Sequence, residues 1–137
     1  APELPATTLS FNCYAGMFNG CTSLVNAPVL PVTTLAEYCY FWMFSNCTSL
    51  VKAPELPATT LAPNCYTSMF YGCSSLNEVR CQMPSTISAE DIPTYTGTGA
   101  DAWLYGVSST GTFYTNADAN WPSGASGIPT GWTRTNT

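Results

Sequence analysis

The stretch CYAGMFNGCTSL at residues 13–24 returns as CYFWMFSNCTSL at 39–50 and again as CYTSMFYGCSSL at 65–76. Six of the chain's 7 cysteines and three of its 4 methionines occupy matched positions of this phrase. Working outward, residues 1–26, 27–52 and 53–78 align without insertion or deletion, and 14 of the 26 columns are identical in all three. A fixed period of this kind marks an array in which each winding of chain buries its apolar side only by stacking on its neighbours. The constant columns are therefore expected to face inward: Leu4, Leu9, Cys13, Tyr14, Met17, Phe18, Cys21 and Leu24 in the first copy, with Pro2, Pro5, Thr7 and Thr8 at turns.

Within one unit, Leu9, Cys13, Met17 and Phe18 follow the spacing of one face of a short helix. Thr8, Thr34 and Thr60 stand where a hydroxyl caps free amides, and Thr34 with Glu37 makes a capping box. Pro63 falls in the first turn of the third helix, where a missing N–H costs little. Gly20, Asn46 and Gly72 suit the left-handed residue just past a helix end. Leu24 to Leu30 reads as a brief extended stretch, shortened by Pro28. The expected fold class is an α/β solenoid, one short strand and one short helix per coil.

After Asn77 the rhythm stops. Residues 79–137 are rich in Gly, Ser and Thr and carry Trp103, Trp121 and Trp132, and AWLYGVSSTGTFYTN at 102–116 reads as two strands joined by a Ser-Ser-Thr-Gly turn. Val79 to Met83 is expected to begin a fourth coil, with the hairpin and tryptophans forming a β-rich cap packed as one domain with the repeats. The chain starts just after the position of Leu24 and Leu50, so an upstream coil is expected ahead of residue 1. The loop with Glu90, Asp91 and Asp101 lacks the dense alternation of oxygen ligands of dedicated calcium loops.

Composition narrows the function classes. Hydrophobic residues make up 45% of the 137, against disorder, while 3 basic and 8 acidic side chains leave a net charge of −5. Such a surface offers nothing to a phosphate backbone, and nucleic acid is excluded as a partner. No run of about 20 apolar residues is present, so this fragment does not insert into a membrane as a helix. A surface wetted by Thr, Ser and Asn points to an extracellular or cell-surface setting.

The phrase MFNGCTSL, followed by APVLPVTTLA, resembles the BspA-like leucine-rich repeats of bacterial surface proteins, and WLYGVSSTGTFY with WPSGASGIPTGW is similar to the module that often closes such arrays. The resemblance covers essentially the whole chain, the repeats more strongly than the rest. It implies a right-handed solenoid with a parallel sheet on one side, exported to the cell surface for adhesion or recognition, with no catalytic residues and no cofactor. Repeats of that kind are commonly shorter than 26 residues, which implies a wider helical side here.

Two cysteine columns, Cys13, Cys39, Cys65 and Cys21, Cys47, Cys73, raise the question of sulfur chemistry. In-register stacking holds successive Cβ atoms near ~4.8 Å, longer than the ~3.8 Å of a relaxed bridge, and three members cannot all pair. With no His and every near pair eight apart, metal-ligand spacing is lacking. The reading is of buried reduced thiols packing as small hydrophobes, with disulfides permitted by a secreted setting. Cys81 is the one candidate for a reactive thiol, set against a core position after Val79. Met17, Met43 and Met69 with Phe18, Phe44 and Phe70 read as core.

Contact residues are expected in the columns that vary. Ala15 and Gly16 correspond to Phe41 and Trp42, then to Thr67 and Ser68, while Asn19 and Ser45 correspond to Tyr71. Phe41, Trp42 and Tyr71 are therefore candidates for a patch that meets a protein or a sugar ring, against the alternative that Trp42 lies flat as packing. Asn26, Lys52 and Glu78 on the strand side are the second candidate face, or else solvated positions. Catalysis needs converging titratable groups, and Glu3 and Glu55 share a column only with Val29 between them. Three readings follow: recognition or adhesion through proteins of a host or neighbouring cell, glycan binding by exposed aromatics, or a passive stalk.

Overall fold

A computed structural model describes residues 4, 6–58, 62, 64–82, 103–117, 121, 123–124 and 127–137. Thr60 and Pro63, and the segment 83–102 with Met83, Glu90, Asp91 and Asp101, lie outside the described residues, as do Pro2, Glu3 and Pro5.

The three copies stack in register, like on like. Tyr14, Tyr40 and Tyr66 pile ring on ring at 6.3 and 6.2 Å, and Phe18, Phe44 and Phe70 at 5.4 and 5.6 Å with planes within 4° of parallel. Cys39, Met43, Phe44, Cys47 and Leu50 in the second coil, and Cys65, Tyr66, Met69, Phe70, Cys73 and Leu76 in the third, are wholly buried. Such offset ring pairs contribute about 0.5–1.5 kcal/mol each beyond the area they bury.

Among the described residues the expected helix is absent, and the fold is not an α/β solenoid. Residues 10–21 form a ribbon of consecutive turns in which alternate N–H groups have different destinations. Cys13, Ala15, Met17, Asn19 and Cys21 donate to the carbonyl three residues back, whereas Asn12, Tyr14, Gly16, Phe18 and Gly20 donate across to Glu37, Cys39, Phe41, Met43 and Ser45 of the next coil. Coil two repeats the pattern toward coil three. Every fourth residue has a positive φ: Asn12, Gly16, Gly20; Tyr38, Trp42, Asn46; Asn64, Ser68, Gly72. These residues sit third in every second turn, where a left-handed backbone is required. An α-helix cannot contain them, because its side chains demand negative φ throughout. Thr8 and Thr34 consequently have no helix to cap. Gly20, Asn46 and Gly72 do adopt the left-handed conformation, but as members of this series and not as helix terminators.

The extended stretch expected at Leu24 to Leu30 is also not a strand. Residues 27–32 and 53–58 each hold two prolines, which cannot donate to a ladder, and the coils meet there through single parallel bridges, Lys52 with Glu78 and Leu56 with Cys81. Strands appear where the prolines stop: β1 (Glu78–Cys81), β2 (Gly111–Thr115) and β3 (Trp132–Asn136), paired in that order and all parallel. The hairpin expected at 102–116 is thus corrected. Residues 103–106 extend the turn ribbon, with Phe70 and Gly72 donating to the carbonyls of Trp103 and Tyr105, and only 111–115 is a strand.

That register makes WLYG at 103–106 a successor of MFYG at 69–72, with Gly106 at φ 78° in the place of Gly72 at 76°. Trp103 extends the ring column over Tyr66 at 5.7 Å, and Trp121 follows at 5.4 Å, within 5° of parallel. The three indole N–H groups of this region are satisfied: Trp103 donates to Gly127 O, Trp121 to Thr115 Oγ1 and Trp132 to Ser108 O.

Candidate contact surface

In the ribbon of turns, columns 12, 16 and 20 take up left-handed backbone, a conformation that suits Gly and Asn. Coil one has Asn12 and Gly16, coil three Asn64 and Ser68, but coil two has Tyr38 and Trp42, both with φ 56°. Trp42 is 44% exposed and Phe41 half-buried, their rings nearly parallel at 4.9 Å. Tyr38 meets Phe41 edge-on at 5.4 Å, and Phe11 of coil one, 63% exposed, meets Tyr38 edge-on at 5.7 Å. Together with Asn12, Ala15 and Gly16 these rings line an open hollow of about 380 Å³. No lining residue is charged.

Of the residues expected at this patch, Phe41 and Trp42 come together. Tyr71 lies elsewhere, stacked on Tyr105 at 5.3 Å. Phe11 and Tyr38 were not among the expected residues, although column variation could have found them: Tyr38 interrupts Asn12 and Asn64, and Phe11 shares its column with Glu37 and Pro63. Thr67 and Ser68, which continue the Phe41 and Trp42 columns in coil three, are buried.

The strand-side residues form a row of a different kind. Asn26 and Lys52 are exposed and line one groove with Val25, Ala27, Val51, Ala53 and Pro54. Lys52 pairs with Glu78 at 3.1 Å, Arg80 approaches the same carboxylate at 3.6 Å, and its guanidinium lies 3.8 Å over the Tyr114 ring. The Lys52–Glu78 pair and the Arg80–Tyr114 contact join neighbouring windings, while Arg80 and Glu78 belong to the same strand, and each contact contributes on the order of 1 kcal/mol or less.

The six cysteines of the two sulfur columns, and Cys81, are all thiols with no disulfide between them. Those of the second column do more than fill space: Cys47 Sγ donates to Phe18 O at 3.1 Å and Cys73 Sγ to Phe44 O at 3.0 Å, each reaching back to the preceding coil. Burial pushes the Cys39 and Cys73 thiols up to about 12 and Cys47 to about 11. Cys81 is fully buried and shifted the same way, chiefly by desolvation, which removes the thiolate that reactivity needs. Among the described residues no three Cys, Asp or Glu side chains converge as a metal-ligand set. Comparison with protein-family models, with curated proteins and with solved structures gave no match.

Proposed function

We propose that this chain is a non-catalytic recognition module of a secreted or cell-surface protein, binding a protein of a host or neighbouring cell through the aromatic patch of coils one and two. One observation carries the reading: coil two places Tyr38 and Trp42 where the backbone is left-handed. That placement costs about 1–2 kcal/mol per residue relative to an ordinary backbone, and bulky side chains there are rare. Asn and Gly fill the same columns in coil one, so the fold does not require the rings. Strain of this sort gathers at functional positions, and exposed clustered aromatics dominate binding energy at interfaces. The resemblance of the repeat phrase to bacterial surface proteins supports the location.

A glycan is the second reading, favoured by the uncharged lining and by the Trp42 ring, which stacks on Phe41 and is 44% exposed. Whole-cell binding and a glycan array, each run with the parent and with Trp42→Gly, separate the two. Cell binding that falls at least about tenfold in Trp42→Gly and disappears after protease treatment of the cells supports the protein partner. Array signal for a defined sugar, lost in the variant, supports the glycan. Binding unchanged by Trp42→Gly contradicts the patch altogether.

A further inference from the structure

The hollow between coils one and two has the chemistry of a cation site. Four rings line it in three orientations: Tyr38 lies at 69° to Phe11 and at 77° to Phe41, and Phe41 lies within 15° of Trp42. Phe41 covers one face of Trp42, whose ring is still 44% exposed. An aromatic ring is negative over its face, so rings set across one another around a hollow attract a cation. The molecule makes this kind of contact elsewhere, with the Arg80 guanidinium 3.8 Å over the Tyr114 ring. The lining carries no charge of its own, and the chain's 3 basic side chains are engaged away from it: Lys52 with Glu78, Arg80 on Tyr114, and Arg134 with the carbonyls of Asn116 and Ala117. Acceptors are scarce as well. Among the described residues of the lining, only Asn12 and the Tyr38 hydroxyl offer side-chain acceptors, and the carbonyls of Asn12, Gly16, Tyr38, Phe41 and Trp42 already accept backbone N–H groups.

We infer that the hollow receives a quaternary ammonium group, carried as a trimethylated lysine by the partner protein; the inference rests on the aromatic patch being the contact site. An unmodified lysine or an arginine would bring several N–H donors into a lining with few acceptors, and each donor left unpaired carries a desolvation cost. Three methyl groups in place of the lysine N–H groups keep the positive charge, remove that cost and add apolar surface against the rings. The same group in choline phosphate or a phosphocholine lipid has an anionic phosphate a short link away. Here that phosphate finds no basic side chain in the lining, a net charge of −5, and the exposed Glu37 next to Tyr38 in the chain.

The test follows the backbone amide signals of Ala15 and Gly16 in the full chain by NMR while a short Gly-Ser peptide is titrated in. The peptide carries at its centre trimethyllysine, lysine, or the uncharged tert-butyl analogue in which carbon replaces the trimethyllysine nitrogen. The trimethyllysine peptide is expected to bind at least about tenfold more tightly than either of the others. That preference is expected to vanish in Trp42→Gly and in Tyr38→Asn, which put coil one's residues in those columns. Cys39 and Cys47 staying unreactive toward alkylation under native conditions reports that both variants are folded. Equal affinity for the tert-butyl analogue means that apolar burial alone drives binding and overturns the inference, as does equal affinity for lysine. Choline phosphate binding more tightly than the trimethyllysine peptide also overturns it, because the occupant is then a phosphocholine group. If no peptide binds while whole-cell binding still falls in Trp42→Gly, the inference fails and the patch stands as the contact site; cell binding that does not depend on Trp42 removes both.

Discussion

The two ends of the stack are finished differently. At the amino-terminal end the core columns run out into solvent through Cys13, Met17 and Cys21, whereas at the other end Trp103 is fully buried, with Trp121 over its ring and Phe113 against its edge. Both outer coils use the same ladder, yet among the described residues larger rings cover only the later one. Repetition makes interior faces and cannot by itself make an end, because the last copy would expose the side chains its neighbours bury. The fourth coil solves this by keeping the backbone of MFYG and replacing Met69 and Phe70 with Trp103 and Leu104.

Breaking the closed end is expected to have the largest effect. Trp103→Ala removes a ring that touches Tyr66, Phe70, Phe113 and Trp121, and should lower unfolding free energy by about 3–5 kcal/mol in denaturant titration. Met17→Ala at the open end should cost under about 1 kcal/mol, because its side chain is already half in water. Equal losses would erase the distinction between the ends.

Alkaline pH tests the buried thiols between those ends. Above pH 9 an unfolded thiol ionises while Cys47 holds its proton to about 11 and Cys39 and Cys73 to about 12. The folded state then binds more protons than the unfolded one, so stability present below pH 9 is lost as pH rises through this window. Each of the three thiols removes about 1.4 kcal/mol per pH unit. A denaturation midpoint equal at pH 8 and pH 10 would contradict the burial.

Smaller effects distinguish the left-handed columns. Gly72→Ala places a Cβ against Asn46 at φ 76° and should cost about 1–3 kcal/mol. Trp42→Gly instead relaxes a backbone at φ 56° while losing the Phe41 contact, and its stability should stay within about 1 kcal/mol of the parent. A severe loss in Trp42→Gly would mean that the ring serves packing and not contact.

The inward columns and their stacking were legible in the sequence because identity at 14 of 26 columns leaves few other faces for a core. The backbone was not, although its signal was present. Cys13, Met17 and Cys21 recur every four residues, as do Tyr14 and Phe18, and Asn12, Gly16 and Gly20 mark the same period with residues that tolerate positive φ. A spacing of four also lies close enough to a helix's 3.6 to be mistaken for it over three turns, and Tyr38 and Trp42 conceal the Asn/Gly series in the second copy. The strand side failed for a plainer reason: two prolines per copy outweigh its apolar residues. At the surface, Phe41 and Trp42 were legible as variable positions, while Phe11 and Tyr38 needed the register between coils to bring them alongside.

The turn ribbon is the feature on which the two ends and the exposed patch both depend, and scalar coupling through hydrogen bonds reads it directly by NMR. The structure predicts a coupling from the Phe18 amide nitrogen to the Met43 carbonyl carbon, 25 residues ahead, and from Phe44 to Met69. Coupling from Phe18 to the Tyr14 carbonyl, four residues back, would restore the helix and contradict the account.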